Sequence, residues 1–176
     1  MIYKLIIFDL DGVIVKSNSI WRNVIDNFDE YDLVERSAMS FISFIGSIPC
    51  VGPIFKLCAL SAIEAFSGEY EPIEEVVNFI KYISGYKMAI FSSDTRQFIE
   101  KHLERLRIRG KFDVIVSSKD VKKLKPNPEG LKKILKITKV HPREAIYLGS
   151  GNIDRMTANN AQITFVSSLD CLKQVL

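Results

Sequence analysis

In the stretch KLIIFDLDGV, residues 4–13, an apolar run delivers two aspartates one residue apart, Asp9 and Asp11, and then a glycine. In extended chain, side chains two apart share a side, so both carboxylates reach one place, and Gly12 lets the backbone turn at once. Two acids packed without a counter-ion repel, and one of their pKa values rises. A hard cation such as Mg²⁺ relieves that repulsion, because it takes carboxylate and carbonyl oxygens together with substrate phosphate oxygens. For this pair taken alone, a surface turn capped by acids is the competing reading.

Other chemistry-bearing groups follow further apolar runs. Ser92, Ser93 and Asp94 follow KMAIF, Lys125 sits in KLKPNPEG, and Ser150 and Asp154 lie in GSGNID. Hydroxyls, backbone amides and an ammonium are the donors that a phosphoryl group's oxygens require. Taken singly, each has a plainer role: Ser92 as a strand-end hydroxyl tied to backbone, Lys125 as one of several solvated lysines beside Lys119, Lys122 and Lys123. The joint pattern favours a phosphoryl site.

The elements that must position these groups are short strands and amphipathic helices. Runs 2–8, 87–91, 113–117, 145–149 and 162–166 are rich in Ile, Val, Phe or Tyr and hydrophobic almost throughout, which marks strands covered on both faces of a parallel sheet. Helices are expected over 72–84, opened by Pro and two acids and stopped by Gly85, over 95–106, and over 127–138, with Leu131, Ile134 and Leu135 inward. His102 is expected to pack within its helix. The fold predicted is α/β: a Rossmann-like three-layer parallel sheet, with ligands outside the carboxyl ends of its strands. About seventy residues separate the first two strands, more than a crossover needs, so residues 17–71 are assigned to an inserted helical cap and 1–16 with 72–176 to the core.

With DLDGV after strand one, AIFSSD closing the next, KPNPEG after the third and an acidic loop after the fourth, the chain resembles the haloacid dehalogenase-like (HAD) hydrolases, in particular their phosphoglycolate phosphatase and β-phosphoglucomutase branch. The resemblance implies Mg²⁺-dependent hydrolysis of a small phosphomonoester. Asp9 is the implied nucleophile, giving an aspartyl-phosphate, and Asp11 the general acid and then base. Ser92 would bond a phosphoryl oxygen, Lys125 would neutralise charge and orient Asp9, and Gly12, Ser93 and Asp94 would line the substrate. The metal set implied is Asp9, Asp11, Asp154 and Ser150. The inserted helices would be that branch's cap.

Two positions depart from the pattern. The metal loop usually begins Gly-Asp, whereas here Ser150 follows Gly149, so a negative charge is missing and metal binding is expected to weaken. Lys16 stands where an acid is common, and is either exposed or placed at the mouth of the site. These departures keep alternatives open: a catalytically weakened phosphate-binding relative serving as sensor or partner protein, or a phosphomutase or dehalogenase, the last disfavoured by Asp11.

Composition sets bounds. The chain has 176 residues, 47% apolar and 26% charged, as a globular protein does. Its net charge of +3 suits small anionic ligands and falls short of a nucleic-acid footprint, so a small phosphorylated metabolite is the expected partner and nucleic acid is not. Cys50, Cys58 and Cys171 have neither the number nor the spacing for a disulfide framework or zinc site. With no signal-peptide pattern at the N-terminus, a cytoplasmic protein is expected. Residues 38–63 carry one charge, Lys56, but Gly46, Pro49, Gly52 and Pro53 divide them into pieces too short to span a bilayer. Two packed cap helices are the expectation there, with membrane contact or a homodimer interface as alternatives.

Overall fold

The computed structural model describes residues 3–17 and 70–176. Two compact units divide the chain, Met1–Lys16 with Pro72–Leu176 and, separately, Ser17–Glu71. The expected cap helices, its apolar stretch and any dimer contact through it lie outside the described residues.

The first unit is built on a five-stranded sheet whose strands all run parallel: β1 (Leu5–Phe8), β4 (Lys87–Phe91), β5 (Val114–Val116), β6 (Ala145–Leu148) and β7 (Thr164–Val166), in spatial order β5-β4-β1-β6-β7. β1 is central, with Phe8 in register with Ile90 on one side and Leu148 on the other. Its four side chains are fully buried, each worth about 1.5–3 kcal/mol by removal from water. This is why the run reads as continuous and not alternating. Leu5 and Ile7 join Tyr147, Leu131 and Ile134 in one core layer, while Phe8 meets Phe112 edge-on with ring centres 5.9 Å apart. Two short strands, β2 (Val15–Ser17) and β3 (Tyr70–Pro72), pair as a separate ribbon.

Helices α1 (Glu74–Tyr82), α2 (Arg96–Arg105) and α3 (Glu129–Thr138) stand where the apolar periodicity places them, each slightly shorter than its sequence pattern. Pro72 does not open α1. It ends strand β3, and Ile73 precedes the first helical turn, in which Glu74 and Glu75 face the positive helix end. Thr95 caps α2 by accepting the Phe98 N–H at 3.3 Å. In α3, Leu131, Ile134 and Leu135 are buried as the stripe requires, and in α2 the buried His102 ring bonds the Phe98 carbonyl through Nδ1 at 2.9 Å.

The sequence pattern does not announce α4 (Asn152–Ala161) or α5 (Leu169–Val175). The face α4 buries is Asp154, Thr157, Ala158 and Ala161, too polar and small to read as a hydrophobic stripe. No helix among the described residues is long and apolar enough to cross a membrane.

Candidate active site

The strand order reverses beside β1, which is where an open parallel sheet forms its ligand crevice. The ladder runs one step past the strands at that end: Asp9 N–H bonds Leu148 O at 2.9 Å, Ser92 N–H bonds Val116 O at 3.1 Å and Gly149 N–H bonds Val166 O at 3.2 Å. Asp9, Ser92 and Gly149 are therefore fixed at neighbouring tips by backbone alone. Gly12 completes the turn after Asp11 with φ of +76°, a conformation that favours glycine, and its N–H bonds Val15 O at 2.7 Å.

Lys125 arrives from a loop held at several points. Glu129 accepts the N–H groups of Lys122 and Lys123, both at 3.0 Å, and Asn160 donates to Pro126 O at 3.0 Å. Asn127 accepts the Glu129 N–H at 3.0 Å, and the Lys125–Pro126 peptide is cis. The result is a lysine side chain only 5% exposed, whose Nζ donates to Asp9 Oδ1 at 3.0 Å, Asp154 Oδ1 at 2.8 Å and the Tyr147 hydroxyl at 2.6 Å. The Phe91 and Tyr147 rings flank the ammonium, their centres 4.9 and 5.4 Å away.

One ammonium thus serves two buried carboxylates, and the two share it unequally. Burial pushes Asp154 up, but the Lys125 charge and bond, the Tyr147 hydroxyl and the Ser150 amide together hold its carboxyl below the usual range. Burial also pushes Asp9 up. There Lys125 offsets only part of the rise and the Asp154 charge adds to it, so the Asp9 carboxyl is raised to about 7. For Lys125, burial works against the charge, yet Asp9 and Asp154 outweigh it and raise its pKa above the ordinary lysine value. Asp9 is a carboxylate short of positive charge.

The other predicted residues fall around this core. Ser92, 1% exposed, donates to Asp94 Oδ2 at 2.7 Å and accepts the Asp94 N–H at 3.1 Å. The Asp94 carboxyl is raised chiefly by burial, against the Ser92 bond, with the Asp11 charge adding to the rise. Ser93 is exposed, as is Lys16. Ser150 donates its hydroxyl to the Asp11 carbonyl at 3.2 Å, while its N–H and that of Gly151 bond Asp154 Oδ2 at 3.1 and 3.4 Å.

Among the described residues no group of three or more His, Cys, Asp or Glu side chains is placed to hold a metal ion. Both Asp154 oxygens already carry bonds, from Lys125 and Tyr147 on one and from backbone amides on the other. The loops that follow β1 and β6 nonetheless carry hard oxygens: the Asp9 carboxylate, and the Asp11 main-chain oxygen and Ser150 hydroxyl, which lie 3.2 Å apart. With Asp9 lacking compensation, this set fits Mg²⁺ bound through few protein ligands, the rest being water and substrate oxygens.

Gly149 is needed for a spatial reason. A Cβ there would lie 2.4 Å from Asp154 Cβ and 2.7 Å from its Cγ, so the first turn of α4 folds directly over this glycine. Gly149→Ala is expected to displace Asp154 from Lys125 and destabilise the protein by about 1–3 kcal/mol, read from the urea midpoint. An unchanged midpoint would refute this account of the loop.

Tyr147 is the residue that reading the sequence for chemistry passes over. It sits in AIYLG as one more strand residue, yet it is fully buried with its hydroxyl inside the charged cluster. The available signal is that a buried tyrosine hydroxyl needs a partner, two positions before a loop carrying an acid.

Comparison with known proteins places the chain in a family. Residues 56–167 match the family model described as haloacid dehalogenase-like hydrolase. That stretch carries Ser92, Lys125 and Asp154, and the sheet joins Asp9 and Asp11 to it. Pyrophosphatase PpaX of Bacillus cereus is 28% identical over 172 residues, covering 89% of this chain and 78% of the relative. Two solved structures share the fold. A HAD-superfamily hydrolase of subfamily IA from Geobacter sulfurreducens has a TM-score of 0.60 at 19% identity, over 94% of this chain and 86% of that one. A hydrolase from Streptococcus pneumoniae has a TM-score of 0.64 at 20% identity, over 99% and 98%. With its family pattern matched over well more than half its length, this chain belongs to the haloacid dehalogenase-like hydrolases.

Proposed function

We propose that the protein is a phosphatase that hydrolyses a small phosphorylated metabolite through a covalent intermediate on Asp9. The observation that carries this reading is the Lys125 ammonium 3.0 Å from Asp9 Oδ1 at the strand tips of the ligand crevice. Asp9 attacks phosphorus, forming an O–P bond as the bond to the leaving oxygen breaks; Asp11 gives that oxygen its proton. Water then attacks the aspartyl-phosphate, passes a proton to Asp11, and releases phosphate and free Asp9. Lys125 holds Asp9 and keeps positive charge beside the reacting oxygens, and Ser92 becomes a further donor when its hydroxyl turns from Asp94 to the substrate. Mg²⁺, held by Asp9, the Asp11 carbonyl and Ser150, would supply charge neutralisation for the phosphoryl oxygens when bound.

The PpaX relatives suggest inorganic pyrophosphate as a substrate to set beside phosphomonoesters. A second reading, a phosphate-binding relative of low turnover, is favoured by Ser150 in place of an acid and by the full complement of bonds on Asp154. The deciding experiment measures hydrolysis of an aryl phosphate and of pyrophosphate across a Mg²⁺ titration, in wild type, Asp9→Asn and Ser150→Asp. Turnover in wild type that Asp9→Asn abolishes supports the phosphatase; turnover that survives Asp9→Asn removes it. Silence in wild type with activity in Ser150→Asp supports the second reading. Ser150→Asp is expected to lower the Mg²⁺ concentration for half-maximal activity about 10–100-fold, and an unchanged requirement would show that position 150 does not face the cation.

A further inference from the structure

An ammonium has three protons to donate, and in Lys125 each has a named acceptor: Asp9 Oδ1, Asp154 Oδ1 and the Tyr147 oxygen. The tyrosine hydroxyl, having accepted from Lys125 at 2.6 Å, donates its own hydrogen bond to Asp154 Oδ1 at 2.8 Å. Lysine, tyrosine and aspartate therefore close a ring of three hydrogen bonds, from which a single bond leads outward to Asp9. We infer that Tyr147 is a positioning residue, whose hydroxyl fixes the Lys125 ammonium so that it reaches Asp9 and not Asp154 alone.

Two carboxylates compete for the ammonium. Asp154 is nearer to the ammonium than Asp9 is, 2.8 Å against 3.0 Å, and it sits on the first turn of α4 with two backbone amides on its other oxygen. Removing the hydroxyl takes a donor from Asp154 and an acceptor from Lys125 together. Each then gains from drawing closer to the other, and the ammonium moves away from Asp9. Asp9 would keep its place just after β1 but lose the donor that aims its carboxylate. A displacement of an ångström at a reacting group is enough to cost orders of magnitude in rate. This role goes beyond the proposed hydrolysis and rests on it only for its kinetic readout.

The test is Tyr147→Phe, which keeps the ring, its volume and its contact with the ammonium, compared with Phe165→Leu. Phe165 packs edge-on against Tyr147 with ring centres 6.5 Å apart, so its truncation loosens the tyrosine while leaving the hydroxyl. Two readouts are taken: the separate kcat and KM for an aryl phosphate in saturating Mg²⁺, and the Lys125 ammonium signal in lysine-selective ¹⁵N NMR, assigned by its loss in Lys125→Arg. Tyr147→Phe is expected to lower kcat about tenfold with KM within about twofold of wild type, and to shift or broaden the Lys125 signal. Phe165→Leu is expected to leave both unchanged. An unaltered Lys125 signal in Tyr147→Phe overturns the inference, and so does a Phe165→Leu variant that reproduces both effects, because packing would then be the cause. If wild type hydrolyses neither substrate, the NMR signal decides alone: its change in Tyr147→Phe upholds the positioning role while the proposed reaction falls.

Discussion

Asp9→Asn is expected to abolish turnover, by at least about a thousandfold, and to make the metal-free protein more stable. The first effect follows from losing the attacking oxygen, since a carboxamide cannot form the acyl-phosphate that the two-step route needs. The second follows from the electrostatics of the cluster. Asp9 is 8% exposed, shares one ammonium with a stronger competitor, and has its carboxyl raised to about 7. An asparagine keeps the shape and an acceptor for Lys125 but removes the charge, leaving Lys125 and Asp154 as a matched pair.

The sign of the pH dependence follows from proton linkage. A carboxyl whose folded pKa is raised from 3.8 to about 7 takes up a proton on folding between those values. Its contribution to stability is therefore greatest below about pH 4, declines as pH rises through the window, and is least favourable above about 7. Asp154, held low, works the opposite way, favouring the fold above the unfolded value and losing that effect as pH falls. Comparing Asp9→Asn with wild type isolates the first group. The variant should exceed wild type by about 1–4 kcal/mol at pH 8, an order-of-magnitude range for a coupled buried group, and by less at pH 5. Urea denaturation in chelator at both pH values checks it. A variant no more stable than wild type at pH 8 would mean that Asp9 is properly compensated after all.

How much of this was legible beforehand depends on what each residue is packed against. β1, β4 and β6 show in the sequence because both faces of a central parallel strand are buried, so Leu5–Phe8 or Ala145–Leu148 can hold only apolar side chains. The convergence of Asp9, Lys125 and Asp154 was readable as a consequence, since the tips of adjacent parallel strands must meet. The helix α4 was not, because its buried face belongs to the site: Asp154 and Thr157 occupy positions where a stripe would have Leu or Val. Tyr147 is hidden for the complementary reason. Its ring satisfies the strand pattern, and the hydroxyl that joins the cluster leaves no trace in a hydrophobic period. The division of labour between the two acids of the cluster was also invisible. Asp154 reads as a metal-loop acid, and nothing in that reading shows that in the fold it is also the tighter partner of Lys125 and the acceptor of the Ser150 and Gly151 amides.

Lys125→Met should cost about 3–5 kcal/mol, among the largest single losses available in the described part of the chain, together with all phosphatase activity. Methionine fills the channel between the Phe91 and Tyr147 rings about as well as the lysine stem, so the penalty is not one of packing. It comes from Asp9 and Asp154, which are left buried on the same side of the sheet tips with no cation between them. Neither can turn to solvent without breaking backbone or helix contacts, so at least one must be protonated. The loss should accordingly shrink as pH falls from 8 to 5. It should shrink again in Lys125→Met/Asp9→Asn, where only Asp154 remains charged and Tyr147 and the amides still serve it. Lys125→Arg offers no rescue, because a planar guanidinium does not fit a side-chain site that is 5% exposed and shaped for a compact ammonium. Urea midpoints for the four proteins at both pH values complete the cycle. A loss below about 1 kcal/mol in Lys125→Met, or equal losses with and without Asp9, would mean that the two carboxylates do not depend on this lysine, and the electrostatic account of the site would fail with it.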